Sequence, residues 1–139
     1  AGLLPRVPMQ RAQAIRALVF IAANCPSAIV ILDYPERWLG RGDAAALERL
    51  RTGTRRRLYR MWNLFADTFA GGDAPFLFGD RPGAADLLAA VVSHWSGARK
   101  HLARQRPALH ALVERVEAHP RVAAVFARHW GEGPVVVAL

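Results

Sequence analysis

Cys25 is the only cysteine in the chain and the residue closest to a nucleophile in chemistry. A catalytic cysteine needs a neighbouring base and an electropositive setting that stabilises the thiolate. Cys25 instead lies in an apolar stretch with no histidine near it in sequence. The pattern predicts a buried structural cysteine. A single cysteine also cannot form an internal disulfide, which fits a reducing, cytoplasmic compartment.

The histidines are the other candidates for catalysis or metal binding. Metal sites on helices usually pair two histidines four residues apart with a supporting carboxylate, and no such pair occurs here. We therefore expect no metal site. We expect His94 to lie near the core with its hydrogen bonds satisfied, and His110 and His119 to lie on solvated helix faces. Residues 79–83 contain glycines before a helix but lack the lysine and hydroxyl of a phosphate-binding loop.

The 139 residues suit one domain with a sizeable core, and 53% of them are apolar. The net charge of +8 is carried almost entirely by arginine, since Lys100 is the only lysine among 19 basic residues. Aromatic side chains are not interleaved with the basic runs, so solvated faces are favoured over nucleic-acid binding. The longest apolar run, residues 17–32, is interrupted by polar residues and falls short of a membrane span.

The first predicted element on which candidate site residues lie is a long helix from Met9 to about Leu32. Pro26 is expected to bend or interrupt it. One face has apolar residues at helical spacing and predicts a core stripe of Ile15, Leu18, Val19 and Ala22. A second face steps by four, four and three residues through Arg16, Phe20, Asn24 and Ser27.

A second long helix is predicted from Ala44 to Ala70, with Asp43 as its N-cap. Its core stripe is Leu58, Trp62, Phe65 and Phe69. Arginines crowd its first half, between Arg49 and Arg60, and Gly53 is a weak point within it. The glycines at 71 and 72 end it.

Residues 76–95 predict a short apolar strip, a turn through residues 80–83 and then a buried central helix. Leu87 to Trp95 is apolar on nearly every side, which is typical of a buried helix. Gly83 fits the N-cap position, and the Asp86 carboxylate can reach back to the Gly83 amide as half of a capping box. This start sets the direction in which the helix enters the core.

The remaining chain predicts a basic connection from Gly97 to Arg106 and a short helix opened by Pro107. A final helix, with Val122, Val125 and Phe126 facing inward, ends near Trp130. Two long antiparallel helices packed on a buried central helix, plus two shorter helices, make an all-α bundle.

Two segments carry a family resemblance. Phe-Leu-x-Gly followed by x-x-Pro-x-x-Ala-Asp, in residues 76–86, resembles the buried-helix signature of the all-helical C-terminal domain of glutathione transferases. Residues 107–109 and 119–122 resemble the openings of that domain's last two helices. The similarity covers roughly residues 8–130, with Gly83 where the family usually has serine or threonine. It implies a linker at 1–8, the helical domain at 9–130 and a tail at 131–139.

The resemblance also implies a division of labour. In the family, a thioredoxin-like domain, which these 139 residues do not contain, binds glutathione and activates its thiol; the helical domain supplies an apolar pocket for the electrophile. On that basis the cleft-facing residues of the first helix would be Arg16 (anion contact), Phe20 (apolar contact), Asn24 and Ser27 (orienting hydrogen bonds). Alternatively, Phe20 packs on a neighbouring helix and the polar three face water or a dimer partner.

The resulting expectation is the electrophile-binding domain of a glutathione transferase-like protein, inactive alone and paired as a homodimer. A non-catalytic docking module is the alternative, in which the Arg49–Arg60 face contacts an acidic partner or RNA. A nucleic-acid-binding bundle is a third, weaker alternative, and its affinity would fall steeply with salt.

Overall fold

The computed structural model describes residues 2–40 and 43–131, and within them every regular element is helical. The helices are α1 (Pro8–Asp33), α2 (Glu36–Leu39), α3 (Ala44–Phe69), α4 (Ala84–Val92), α5 (Ala98–Gln105), α6 (Pro107–Glu117) and α7 (Ala123–Trp130), with a 3₁₀ turn at Trp95–Gly97. The predicted all-α bundle is confirmed. The predicted tail at 131–139 lies, from residue 132 on, outside the described residues.

The long helix α1 packs against α3 and α4, but through a different face from the predicted one. Ile15 and Val19 are 44% and 59% exposed, Ala22 is exposed, and Leu18 is half-buried. The buried side instead comprises Ala14, Ala17, Ile21, Cys25, Ala28, Ile29 and Leu32. The prediction was wrong because α1 is apolar on several sides, so helical spacing alone selects no single face.

Pro26 does not interrupt α1, which is continuous from Pro8 to Asp33. At 26 residues, α1 is also long and apolar enough to cross a membrane by length and composition alone. The core helix of a globular domain passes the same test, and α1 contributes seven buried residues to the core. Its length is therefore weak evidence for a membrane span.

The predicted core stripe of α3 is confirmed. Leu58, Trp62 and Phe65 are fully buried, and Phe69 is 8% exposed. The helix begins where predicted, because the Asp43 carboxylate accepts a hydrogen bond from the Ala45 amide at 2.9 Å. Its buried residues start only at Thr54, so the first ten residues of α3 contribute none to the core.

The entry to α4 is built around one carboxylate, as predicted. Asp86 is 1% exposed, and its two oxygens accept hydrogen bonds from the Gly83 and Leu77 amides, each at 2.8 Å. The Ala84 amide donates to the Leu3 carbonyl at 2.8 Å, which ties the N-terminal strip to the same point. A single side chain thus holds both the helix start and the loop before it.

The predicted extent of the central helix was too long. α4 ends at Val92, and Ser96 and Gly97, with φ of 53° and 76°, turn the chain away. Trp95 is consequently 44% exposed rather than sealed in the core. Leu87, Leu88 and Val91 are only half-buried, so the ring of helices around α4 is open on one side.

The predicted basic connection after the central helix is wrong, since residues 98–105 form α5. Only Ala98 and Leu102 of this helix are buried, and two apolar residues among charges give too little periodicity to detect. The helix opened by Pro107 is confirmed. In α7, Phe126 is buried as predicted, whereas Val125 is 55% exposed.

Candidate functional site

The four residues predicted to form a binding face share one side of α1 by helical spacing, and two of them, Arg16 and Phe20, contact α3. Phe20 is half-buried, with its ring centroid 5.9 Å from that of Phe65 and 6.2 Å from that of Phe69. The Arg16 guanidinium carbon lies 5.5 Å from the centre of the Phe69 ring. Phe20 therefore packs on a neighbouring helix, as the alternative interpretation has it, while part of its ring stays accessible beside a cation.

The two polar residues further along this face are held by the backbone of their own helix. The Asn24 amide nitrogen donates to the Phe20 carbonyl at 2.8 Å, which fixes the side chain along the helix and leaves its oxygen as an acceptor. The Ser27 hydroxyl is exposed and lies 3.4 Å from the carbonyls of Ala23 and Asn24. One well-positioned acceptor and one weakly held hydroxyl can therefore orient a ligand.

Arg16 is exposed, and its polar contact is the Gln13 side-chain oxygen at 3.3 Å. Within residues 2–40 and 43–131 it forms no ion pair with a carboxylate. A guanidinium stacked on an aromatic ring with free N–H groups suits an anionic or polarised group of a ligand. We refer to Arg16, Phe20, Asn24 and Ser27 as the α1 polar face.

The α1 polar face is open rather than enclosed. A cavity of about 280 Å³ lies between the N-terminal strip and the start of α4, and one of about 550 Å³ lies between residues 69–77 and α6. A third, of about 460 Å³, lies on the first half of α3. None of these three is lined by the α1 polar face. Tight binding of a ligand on this face would need a second wall, because small-molecule sites are concave.

Cys25 is 1% exposed, and burial raises the pKa of its thiol to about 12. A thiol with this pKa is protonated at neutral pH and is a poor nucleophile. The prediction of a structural cysteine is confirmed. Among residues 2–40 and 43–131, no group of three or more histidine, cysteine, aspartate or glutamate side chains could hold a metal ion.

A polar network at the end of α4 was not foreseen from the sequence. Arg99 donates to the Ala90 carbonyl and the Ser93 hydroxyl, each at 2.9 Å, and to the Glu117 carboxylate. His94 lies 2.8 Å from the same carboxylate. The network joins α4, α5 and α6 through residues up to 27 positions apart in the chain, a spacing that leaves no sequence signal.

His94 is satisfied near the core, as predicted. Its ring stacks on Trp130 with centroids 4.6 Å apart, so it also anchors the last described helix. Burial and the nearby Arg99 guanidinium lower the pKa of His94, and Glu117 partly offsets this. These contacts give His94 a structural role, because its ring is occupied by Glu117 and Trp130 and leaves no space for a substrate.

His101 makes a comparable contact between α3 and α5. It stacks on Tyr59 with centroids 4.3 Å apart, and its Nε2 lies 2.9 Å from the Asn63 side-chain oxygen. Burial, with further contributions from Arg106 and Arg104, lowers the pKa of His101 below its ordinary value of 6.5. The folded state therefore binds this proton at lower pH than the unfolded chain does.

We predict that this shift makes part of the stability pH-dependent. The contribution is fully present above about pH 6.5 and is lost as the pH falls, because the unfolded chain is protonated first. Urea unfolding at several pH values should show that the free energy of unfolding falls less on acidification in His101→Gln than in the native chain. The exposed His129→Gln is the matched control, and an equal acid loss in all three proteins would contradict the prediction.

Comparison with known proteins gives a family match. A family model described as glutathione S-transferase, C-terminal domain, matches residues 41–129. No curated protein and no solved structure matches the chain significantly. The matched region runs from the start of α3 to α7 and includes the Asp86 helix entry, but not α1 or its polar face.

Proposed function

The chain belongs to the glutathione S-transferase C-terminal domain family, and on that premise we propose that it binds the electrophilic substrate of a glutathione transferase-like protein. The reaction of the whole protein would be attack of a glutathione thiolate on a small hydrophobic electrophile, or a glutathione-dependent reduction. In this proposal the chain contributes the electrophile's contacts, and a thioredoxin-like domain outside these 139 residues binds glutathione and activates its thiol.

The main support for the proposal is the composition of the α1 polar face. This face lies outside the matched region, and its side chains are of the types that form one wall of a ligand site. It combines a partly accessible aromatic ring, a guanidinium without a carboxylate partner, and a fixed amide oxygen. Ligand sites pair an apolar surface with a few placed polar groups. Its openness supports completion of the site by a second domain.

The cysteine and two half-buried histidines of the described residues are taken up by structural roles. Cys25 is buried and protonated, and His94 and His101 are engaged in structural contacts. We therefore propose that the chain alone neither binds glutathione well nor turns over substrate. The lone reduced cysteine agrees with a cytoplasmic setting.

We further propose that the chain pairs as a homodimer through the outer faces of its two long helices. The side of α1 opposite the core exposes Ile15, Val19 and Val30 in one stripe, and Leu64 is 48% exposed on α3. Apolar stripes of this kind favour association. Sedimentation at increasing concentrations should show a rising dimer fraction, and a monomer throughout would contradict the pairing.

The binding role of the α1 polar face can be tested with anilinonaphthalene sulfonate, an aromatic anion whose fluorescence rises in apolar sites. We expect Arg16→Gln to weaken its binding about threefold, since an exposed ionic contact contributes ~0.7 kcal/mol. The matched control is Arg11→Gln, which removes the same charge from an exposed position elsewhere on α1.

A second control addresses the apolar stripe, to which the same probe could bind. Val19→Ser disrupts that stripe without touching the α1 polar face. Binding that is weakened by Arg16→Gln and by neither control supports the proposal. Binding that Val19→Ser or Arg11→Gln weakens as much as Arg16→Gln contradicts it.

A further inference from the structure

The first half of α3 carries an unusual concentration of positive charge. Between Glu48 and Asp67 the helix contains no acidic residue and six arginines, at 49, 51, 55, 56, 57 and 60. In the described part of the chain, one of the six forms an ion pair, Arg49 with Asp43 at 3.9 Å, and both partners are mostly exposed. Like charges three and four residues apart destabilise a helix, so the fold itself gains nothing from this arrangement.

Part of this charge is arranged in a regular line. Arg49, Gly53, Arg56, Arg60 and Leu64 follow one another at spacings of four, three, four and four, and residues so spaced share one face of a helix. We call these five residues the arginine seam. It lies on the side of α3 away from the buried Leu58 and Trp62 and extends for roughly 22 Å. This spacing is the one through which a helix contacts another helix.

Gly53 lies within the seam and has no role in the packing of this domain. A Cβ placed on Gly53 would have no atom within 4 Å, and its backbone φ is not left-handed. Alanine would therefore fit and stabilise the helix by about 1 kcal/mol. What glycine provides is a dip: Gly53 lines the cavity of about 460 Å³ on this face together with Ala45, Glu48, Arg49, Thr52 and Arg56. The one carboxylate in this lining, Glu48, accepts a hydrogen bond from the Thr52 hydroxyl at 3.3 Å. Another backbone can approach closely there.

We propose that the arginine seam is a docking surface for an acidic α-helix of a partner protein. Carboxylates on such a helix would pair with Arg49, Arg56 and Arg60, while its backbone approaches α3 at Gly53 and an apolar residue covers Leu64. Guanidinium groups bind carboxylates in a two-point geometry, which makes arginine well suited to this contact. The inference concerns a face of α3 distinct from the α1 polar face. Leu64 is also part of the homodimer contact proposed above, so an acidic helix and a second copy of the chain would compete for that end of the seam.

The seam favours a protein helix over a nucleic acid for two reasons. It contains no aromatic side chain on which bases could stack, and Leu64 is 48% exposed at its end, where a phosphate backbone would gain nothing. Phosphate binding also requires no helical spacing and no glycine between the arginines. Both features are explained by a second helix.

The test uses a synthetic helical peptide with glutamate at the same four-three-four spacing, and a second peptide with glutamine at those positions. Binding to the whole chain is measured by fluorescence anisotropy. The triple variant Arg49→Gln, Arg56→Gln, Arg60→Gln should bind the glutamate peptide about tenfold more weakly, the combined effect of three exposed ion pairs. The control variant Arg11→Gln, Arg121→Gln, Arg128→Gln removes equal charge from exposed positions elsewhere.

Variants of Gly53 distinguish close packing of a helix on the arginine seam from charge attraction alone. Gly53→Ala should raise the thermal midpoint, and Gly53→Leu should leave the helix content unchanged while weakening peptide binding about tenfold, because the side chain fills the dip. Equal loss in the two triple variants, unchanged binding to Gly53→Leu, or equal binding of the glutamine peptide would overturn the proposal. Tighter binding of single-stranded RNA or duplex DNA than of the peptide at physiological salt would also overturn it.

Discussion

Replacing Asp86 by alanine is expected to lower the free energy of unfolding by about 3 kcal/mol. The carboxylate is 1% exposed and is the acceptor for the amides of Gly83 and Leu77, both at 2.8 Å. Its loss leaves two N–H groups without partners at the start of α4, and each such group costs ~1–3 kcal/mol. Urea unfolding followed by circular dichroism measures the change.

Two comparisons show whether the loss arises from these hydrogen bonds. Asp86→Asn keeps the shape but turns one acceptor into a donor, so we expect an intermediate loss. Asp43→Ala removes an exposed N-cap with one hydrogen bond and should cost about 1 kcal/mol. If Asp86→Ala cost no more than Asp43→Ala, the carboxylate would not hold the central helix as described.

Replacing Glu117 by alanine is expected to lower the free energy of unfolding by about 2 kcal/mol. Its carboxylate accepts from Arg99 and contacts His94, and these side chains are only 17% and 19% exposed. Removing the acid leaves a largely buried guanidinium beside a histidine with no counter-charge. Partial exposure of all three groups keeps the effect below that of a fully buried pair.

Glu114→Ala is the matched control because this glutamate, one turn earlier on α6, is 59% exposed and lies 3.3 Å from His110. Its loss should cost less than about 0.5 kcal/mol. Glu117→Ala should also weaken the attachment of α7, which His94 contacts through Trp130. Similar losses in the two alanine variants would mean that the network contributes little to stability.

The parts of the fold that could be predicted from the sequence are those with one clear signal. In α3, Leu58, Trp62 and Phe65 recur at spacings of four and three on the side opposite Arg56 and Arg60, so the apolar spacing points to a single buried face. At α4, the glycine followed three residues later by aspartate marks the helix start, and the structure has the bond that this spacing predicts. Both signals are local.

Other parts were not predictable because the signal was ambiguous or distant. In α1 apolar residues surround most of the helix, so Ile15 and Val19 fitted a core stripe as well as Ala17 and Ile21 did. In α5 only two buried residues stand among charges. The bonds from Arg99 to Ala90 and Glu117 depend on how three helices pack, which no spacing encodes.

The candidate site shows the same division. Helical spacing correctly groups Arg16, Phe20 and Asn24 on one side of α1, because residues three and four apart share a face. It could not show that Phe20 packs against two phenylalanines of α3, or that the face is open. The surface that would close over the α1 polar face belongs to another part of the protein, so the sequence of α1 does not reveal it.

The measurement that tests the account most directly is isothermal titration of the chain with glutathione, beside a titration with anilinonaphthalene sulfonate. If the chain supplies only the electrophile's half of a two-part site, the aromatic anion should bind saturably. Glutathione should then show no saturable binding tighter than about 1 mM. Saturable micromolar binding of glutathione to the chain alone would contradict this division of the site.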